Sequence, residues 1–597
     1  MIQRRLLLSF ATLASLFVVQ DTAFGDASSE ALMKLAHDYW ENYLKTHPLD
    51  ATQLGDRRYD DHLSDITPQG IAKQLRWLRD FEQTVSVVDA TTLSTEDRIT
   101  RNALLFEIRS QIAGLGCGFE DWVVDPLGGA QVEFFNVPSY QHLSDVASGK
   151  AMIARWKAMP AYYDQQVTNL RRGLKDGKVS IRAQVERTIA EIDELENMPV
   201  EQWAIAKPAL EPPASWPAGE RAQFSKTLMS TVNDGVKPAL LRYRDMLRKE
   251  VLPKARDNDH PGIMHVPGGA DCYRGQILRH TSLTLSPEDI HQIGLDEVAR
   301  INEEMRGLGS KVLGTDDLAE IHRRLRTDPA MHFKTRDEVA AKAEEALRRA
   351  EAAVPNWFDI QPKAPCNVVR MEAHEEKNST IAYYRQPAAD GSRPGSYFIN
   401  TYAPETRPRY EAEALAFHEA VPGHHLQIAI AQELTGMPEF RKYAGVTAFV
   451  EGWGLYSERL ANEMGLYSAD VDRIGMLSFD SWRACRLVVD TGMHAMGWTR
   501  QQAIDYMIAN TVLAENNIAN EVDRYITWPG QALAYKLGQR EILRLRDKAK
   551  TALGDKFDIK QFHDVILRDG AVDLGTLNQL VDDWITASVT GTQAGTH

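Results

Sequence analysis

The segment HEAVPGHH at residues 418–425 brings three histidines and one carboxylate together in a short stretch of chain. A helix with the pattern H-E-x-x-H presents two imidazoles to one metal ion and places the glutamate beside them as a general base. Here His418 and Glu419 keep the first half of that pattern, but Pro422 stands where the second histidine is expected. The residue types therefore indicate a metal-dependent hydrolase with altered ligand spacing.

Pro422 and Gly423 decide which histidine can join His418. Proline lacks the amide that would bond to the carbonyl of His418 and so interrupts the helix, and glycine tolerates unusual torsion angles. A short irregularity would bring His424 beside His418, whereas His425 faces the right way on an undistorted helix but lies two turns away. We predict His418 and His424 as ligands, with His425 as the alternative. The remaining histidine would orient the substrate or hold a carboxylate.

A third ligand is expected because catalytic zinc takes three protein ligands and keeps one position open for water. Glu451 in the string FVEGWGLY at 449–456 is the best candidate, since apolar and glycine-rich surroundings disfavour a carboxylate without a partner. Glu458, two helical turns later, would face the same way and accept a hydrogen bond from a ligand histidine. Glu419 is the predicted general base, which takes a proton from water and returns it to the leaving amine.

The elements around these residues are predicted to be mainly helical. Helical periodicity dominates from about residue 28 to residue 254, and proline and glycine cluster at 208–217 and 261–269. We therefore expect a mainly α fold with a helical scaffold half at 26–260 and a zinc-binding catalytic half at 261–597, joined in one catalytic body.

Three short strand patterns come just before the metal motif, at 367–371, 381–385 and 396–401. They predict a small β-sheet next to the metal site. Such a sheet either offers an edge strand to an extended substrate or only covers the core, and the sequence favours neither reading.

The chain of 597 residues is 43% hydrophobic and 25% charged, as expected of a globular protein. Its formal net charge of −15 argues against a nucleic-acid partner. Arg4 and Arg5, an apolar run at 6–19 and Ala23-Phe24-Gly25 predict a signal peptide at 1–25, and hence a periplasmic or secreted protein. A membrane anchor is the weaker reading because the apolar run is short for a bilayer, and we expect no stable span after cleavage. The four cysteines are too far apart for a thiolate zinc site but allow one or two disulfides.

Four strings together resemble a known bacterial family. They are HEAVPGHHLQ at 418–427, EGWGLY at 451–456, WPGQALAYK at 528–536 and DATQLGD at 50–56. They resemble the family called domain of unknown function 885, and the likeness runs through nearly the whole mature chain. That family is similar to helical zinc peptidases that use a glutamate as third ligand, such as the dipeptidyl carboxypeptidase and oligopeptidase group. The resemblance implies a deep cleft between two mostly helical halves and supplies no substrate.

Further residues are expected to act on the substrate. The transition state of peptide hydrolysis carries negative charge on an oxygen beside the metal, so a donor across the cleft is needed, for which we predict His494 and Tyr535. A buried histidine with satisfied nitrogens is almost as good a reading of His494. A carboxypeptidase-like activity also needs groups that hold a substrate carboxylate. For substrate binding we predict Arg524, Tyr525, Gln531 and Lys536.

These expectations combine into an exported zinc metallopeptidase that hydrolyses short peptides through an activated water, with a carboxypeptidase-like activity as one form. A zinc hydrolase of a non-peptide amide or ester would use the same residues. A non-catalytic peptide-binding protein on this scaffold is the third reading, although Glu419 beside His418 argues against it because a metal site without catalysis has no use for that base. The sequence does not indicate an oligomeric state.

Overall fold

Helices build most of the molecule, which confirms the predicted mainly α fold. The computed structural model describes residues 27–590 apart from 372–375, 377–379, 389–390 and 392. The predicted signal peptide at 1–25 lies outside the described residues. Within them, no helix combines the length and the apolar character that crossing a bilayer would require.

Helices α1 to α10 form the first part of the chain. Their bounds are 27–46, Pro48–Leu54, Pro68–Ser86, Thr95–Gly116, Ala130–Asn136, Val146–Lys175, Arg182–Asn197, Lys207–Leu210, Ala218–Ser230 and Lys237–Met246.

Helices α11 to α24 form the rest of the chain. Their bounds are Gly269–Thr281, Pro287–Leu313, Leu318–Thr327, Arg336–Ala353, Ala412–Glu419, His424–Glu433, Glu439–Tyr443, Thr447–Glu463, Asp470–Ala495, Arg500–Asn510, Glu515–Thr527, Ala534–Leu553, Ile559–Leu567 and Leu574–Thr590. The start of α12 shows how local sequence sets these bounds. Ser286 accepts a hydrogen bond from the amide of Asp289, and Pro287 fills the first helical position, where its missing N–H costs nothing.

A small three-stranded sheet precedes the metal motif, as the alternation of residues predicted. Its strands are β1 (Cys366–Arg370), β2 (Ala382–Arg385) and β3 (Gly395–Ile399), and β3 lies between the other two. Strand β3 runs parallel to β1 and antiparallel to β2. The sheet packs against α16, because a Cβ atom at Gly395 would lie only 2.5 Å from Nδ1 of His425.

Hydrophobic clusters join the two parts of the chain. One cluster lies within the first part, where Trp156, Tyr163 and Trp203 are buried. A second is built around α15, α18, α22 and α23 but also includes Ile99 of α4. A disulfide between Cys117 and Cys272 ties the end of α4 to α11. Contacts therefore cross residue 260, where we expected the halves to meet, and the proposed division stays a prediction.

Helix α18 is held at an unusually short distance from α22. A Cβ atom at Gly538 would lie 1.8 Å from the carbonyl oxygen of Ala448, and one at Gly452 would lie 2.5 Å from the backbone of Gly538. Two facing glycines allow this close approach, since any side chain there would collide with backbone atoms. The packing fixes the helix that carries Glu451.

Candidate metal centre

The helix that carries His418 breaks where the sequence predicts. Helix α15 ends at Glu419, and α16 begins at His424. The amide of His425 bonds to the carbonyl oxygen of Ala420 at 3.0 Å, which spans the break. A Cβ atom at Gly423 would lie 1.9 Å from the carbonyl oxygen of His418, so this close turn requires glycine. Pro422 and Gly423 thus turn the chain back toward His418.

Helix α18 fixes the break from the other side. The indole Nε1 of Trp453 donates to the carbonyl oxygen of Pro422 at 2.9 Å, and the hydroxyl of Ser457 donates to the same oxygen at 3.2 Å. Both donors are buried. The turn is therefore attached to the helix that supplies the predicted third ligand.

The structure brings His418, His424 and Glu451 together. Nε2 of His418 lies 3.7 Å from Oε2 of Glu451, and Nε2 of His424 lies 3.5 Å from the same oxygen. The two imidazole rings are nearly perpendicular, with centroids 4.7 Å apart. In the described part of the chain, this is the cluster of histidine, cysteine and acidic side chains whose ligand atoms lie close enough for one ion, all within 4.8 Å.

One face of α18 holds the imidazole of His418. Glu451, Gly454 and Glu458 follow one another along that face, three and four residues apart. Nδ1 of His418 bonds to Oε1 of the buried Glu458 at 2.8 Å. A Cβ atom at Gly454 would lie 2.8 Å from the ring, so the ring can lie flat on the helix only because residue 454 is glycine. The second nitrogen of His418 is thereby aimed at Glu451.

The charges at this cluster support one another. Burial disfavours a charged imidazole, but hydrogen bonds to Glu451 and Glu458 outweigh it and raise the pKa of His418 to about 9. Burial also opposes ionisation of Glu451, yet hydrogen bonds from His418 and His424 hold its pKa well below the usual range. The carboxylates thus create a buried site that favours positive charge.

His425, the alternative ligand, points elsewhere. Its Nδ1 pairs with the hydroxyl of Tyr384 at 2.9 Å, and its Nε2 donates to the carbonyl oxygen of Ala364 at 3.0 Å. Burial lowers the pKa of His425 to about 4, so the ring is neutral. Both nitrogens hold the sheet and the preceding loop, which favours His424 over His425 as the second ligand. Tyr384 lies outside the sequence motifs of the site, and its contact with His425 was not predicted from the sequence.

Glu419, the predicted base, is half-buried next to the cluster. Among the described residues no hydrogen bond or ion pair engages its carboxylate. The buried Tyr397 of β3 lies near enough for the charge of Glu419 to raise its pKa, in addition to the larger effect of burial. The carboxylate is thus adjacent in sequence to a candidate ligand and is not committed to another group.

His494 occupies a structural position. Its Nδ1 accepts a hydrogen bond from the amide of Ile263 at 3.0 Å, and its Nε2 donates to the carbonyl oxygen of Tyr525 at 2.9 Å. Burial lowers the pKa of His494 to about 4. Neither nitrogen is left to donate to a substrate oxygen, which argues against the predicted role and favours the alternative of a satisfied buried histidine.

Tyr535, Arg524 and Gln531 lie together. A guanidinium nitrogen of Arg524 donates to Oε1 of Gln531 at 2.8 Å and to the hydroxyl of Tyr535 at 3.2 Å. The hydroxyl of Tyr525 is buried and accepts from Trp482 and Arg486. These two contacts argue against the predicted contact between the hydroxyl of Tyr525 and a substrate.

Lys536 makes its contacts with other residues and not with Arg524, Gln531 or Tyr535. Its fully buried ammonium bonds to Asp480 at 2.5 Å and to Gln539 at 2.8 Å, and it lies 3.3 Å from Glu297. A charge with these partners is fully compensated. This arrangement argues against the predicted contact between Lys536 and a substrate carboxylate.

Comparison with known proteins identifies the family. A sequence model of the family described as "Bacterial protein of unknown function (DUF885)" matches residues 48–581. This chain belongs to the DUF885 family. No curated protein matches it.

The solved structures of two putative lipoproteins share the fold of this DUF885 protein. A putative lipoprotein from Colwellia psychrerythraea is 28% identical with a TM-score of 0.88, covering 94% of this chain and 99% of its own. A putative lipoprotein of unknown function from Shewanella oneidensis is 19% identical with a TM-score of 0.73, covering 92% and 99%. A Pyrococcus furiosus carboxypeptidase, in an apo-Mg structure, also matches at 11% identity and a TM-score of 0.31, covering 88% and 99%.

The cluster in this DUF885 protein fits a divalent transition metal. Two imidazoles and one carboxylate form a donor set that zinc accepts in catalytic sites. Glu458 occupies Nδ1 of His418 and so directs the lone pair of Nε2 toward the cluster. Nδ1 of His424 is buried and lacks a hydrogen-bond partner among the described residues, so its Nε2 is the nitrogen that faces Glu451.

Proposed function

We propose that this protein is an exported zinc metallopeptidase that hydrolyses short peptides. The observation that carries the proposal is the convergence of His418, His424 and Glu451, whose ligand atoms lie within 4.8 Å of one another. Glu419 follows His418 directly in the chain, and its carboxylate has no hydrogen bond or ion pair with the described residues. A general base next to a three-ligand metal site is the arrangement that hydrolysis requires.

The side chains have distinct tasks in this proposal. His418, His424 and Glu451 would hold zinc, which when bound lowers the pKa of water and polarises a carbonyl group. The carboxylate of Glu419 accepts a proton from the attacking water and later gives it to the leaving nitrogen. Glu458 keeps the ring of His418 in one orientation. Tyr535 is the remaining candidate for a hydroxyl donor to the reacting oxygen.

Export of the protein is part of the proposal. The signal-peptide pattern at 1–25 supports it. So does the disulfide between Cys117 and Cys272, because disulfides persist in oxidising compartments. The similar proteins from Colwellia psychrerythraea and Shewanella oneidensis are described as putative lipoproteins, a class of exported protein. The proposed location is the periplasm or the outside of the cell.

A peptide-profiling experiment tests the activity. The zinc-loaded protein is incubated with a mixture of synthetic peptides of several lengths, and the products are read by mass spectrometry. We expect cleavage of short peptides that chelation abolishes and zinc restores, and no cleavage by the Glu419→Gln variant. Hydrolysis of amide and ester substrates without any peptide cleavage would replace the peptidase assignment by that of a non-peptide hydrolase.

A further inference from the structure

Arg279 near the end of α11 carries a charge that the described protein does not compensate. Its side chain is half-buried, yet no described residue forms a hydrogen bond or an ion pair with it. Burial lowers its pKa, because a charged guanidinium is less well hydrated in that position. An uncompensated charge of this kind is unfavourable, so its presence points to a partner that arrives from outside.

Two residues of α4, Gly114 and Glu107, lie near the guanidinium of Arg279, and neither forms an ion pair with it. A Cβ atom at Gly114 would lie 2.4 Å from Nη1 of Arg279, so the side chain can rest on α4 only because residue 114 is glycine. Glu107, on the same helix, attracts Arg279 without direct pairing. Burial raises the pKa of Glu107 to about 7 despite that attraction, so this carboxyl group is only partly ionised near neutral pH.

The residue after Arg279 contacts the helix that carries Glu451. Nδ1 of His280 is 3.4 Å from the hydroxyl of Thr447, in the first turn of α18. Glu451 follows Thr447 by four residues on the same face, a rise of about 6 Å along the helix. Helix α11, which carries Arg279, therefore contacts the helix that carries the candidate ligand Glu451.

The arginines of α19 and α21 already have partners, including Arg483, which lies 3.8 Å from Glu458 and donates to the carbonyl oxygen of Phe479. Arg524 bonds to Gln531 and Tyr535 and lies 3.5 Å from Glu521. Arg486 bonds to Tyr525 and lies 3.0 Å from Glu521. A substrate carboxylate would have to compete with these contacts at Arg524 or Arg486, whereas at Arg279 it would supply a missing partner.

We propose that Arg279 binds the free carboxylate of a peptide substrate, so that cleavage takes place within the last few residues of the chain. The proposal rests on the proposed peptidase function and narrows it to peptides with a free C-terminus. A guanidinium and a carboxylate match in shape and charge and form charge-assisted hydrogen bonds. The role differs from that predicted for Arg524 because it assigns recognition of the substrate carboxylate to α11 and not to α21.

The test compares two peptides that differ only at the C-terminus. An N-acetylated tetra-alanine with a free carboxylate and the same peptide with a C-terminal amide are given to the zinc-loaded enzyme. We expect Arg279→Gln to lower kcat/KM for the acid by roughly 10- to 100-fold, the usual worth of hydrogen bonds to a charged group, and to leave the amide unchanged. Arg279→Lys should restore part of the preference.

Arg274→Gln is the matched control, because Arg274 lies on the same helix, is exposed and pairs only with its neighbour Asp271 in the described chain. It should behave as wild type. Circular dichroism and zinc content verify that each variant is folded and loaded. Equal loss of activity on both peptides in Arg279→Gln, or no loss on either, would overturn the proposal.

A binding measurement separates this proposal from the peptidase assignment. Calorimetry with both peptides is performed on zinc-loaded Glu419→Gln protein, with and without Arg279→Gln. If the wild type cleaves neither peptide but the acid still binds more tightly only when Arg279 is present, the peptidase function fails and the carboxylate site stands. If acid and amide give the same result on protein that retains Arg279, the carboxylate site is wrong.

Discussion

The turn at 418–425 and the region around His494 both contain buried histidines, but the ring nitrogens have different partners in the two regions. His418 gives one nitrogen to Glu458 and turns the other toward Glu451 and His424. His494 gives both nitrogens to backbone groups, the amide of Ile263 and the carbonyl of Tyr525. The ring of His418 faces two side chains that can bind a metal, and the ring of His494 connects two segments of backbone.

The partners, and not the extent of burial, distinguish these two regions. Carboxylates raise the pKa of His418 to about 9, whereas burial, with a smaller effect of Arg256, lowers the pKa of His494 to about 4. When one ring nitrogen of a buried histidine already has a partner, the partner of the other nitrogen therefore indicates the role of the residue. Where it faces acidic groups the site favours a cation, and where it meets a carbonyl oxygen the histidine is part of the scaffold.

The largest expected effect comes from removing the base in the first region. Glu419→Gln keeps the size of the side chain but cannot accept a proton, so kcat should fall by about 10³-fold while zinc content stays at the wild-type level. Peptide hydrolysis and metal analysis on the same preparation measure both. Glu405→Gln, an exposed glutamate in the same half, serves as the control. Retention of full activity by Glu419→Gln would remove it from the mechanism.

The zinc affinities of single histidine variants show whether His424 or His425 is the second ligand in the turn. His424→Ala removes a proposed ligand and should weaken zinc binding by more than the roughly 10- to 100-fold cost of losing an outer partner. His425→Ala should keep zinc, since that ring bonds to Tyr384 and Ala364. Competition with a chromogenic chelator gives both affinities. The reverse order would make His425 the ligand.

Glu458→Gln tests whether the outer carboxylate orients His418. The amide can still accept from Nδ1 but lacks the negative charge, so zinc affinity should fall by about 10- to 100-fold without unfolding. The same chelator competition measures it, and thermal unfolding of the metal-free protein checks the fold. An unchanged zinc affinity would contradict the assigned role of Glu458.

The last effect concerns His494, lies outside the candidate site and appears as a pH dependence of stability. Because its pKa in the folded protein is lowered to about 4, the unfolded chain binds the extra proton first as pH falls. Its contribution is complete above about pH 6.5 and is lost between there and pH 4, by at most roughly 1.4 kcal/mol per pH unit. Urea unfolding of wild type and His494→Gln measures this difference. If both proteins lose stability equally over that range, His494 is not the group responsible.

The sequence predicted the helical class, the small sheet and the break at Pro422, because these depend on local pattern. It also proposed His418, His424 and Glu451 as ligands, and these three residues lie together in the fold. It did not predict that the ring of His418 packs on Gly454, since the sequence does not show which side chain contacts a glycine in a helix. It also suggested Lys536 for substrate binding, although Asp480 lies beside it in the fold. Such pairings join residues far apart in the chain and depend on the packing of whole helices.

The most direct test of the account is an anomalous difference map recorded at the zinc absorption edge on crystals of the zinc-loaded protein. We predict one strong peak at about 2.0–2.2 Å from Nε2 of His418, Nε2 of His424 and a carboxylate oxygen of Glu451. A peak bound through His425 in place of His424, or no peak at this cluster in protein that is active, would contradict it.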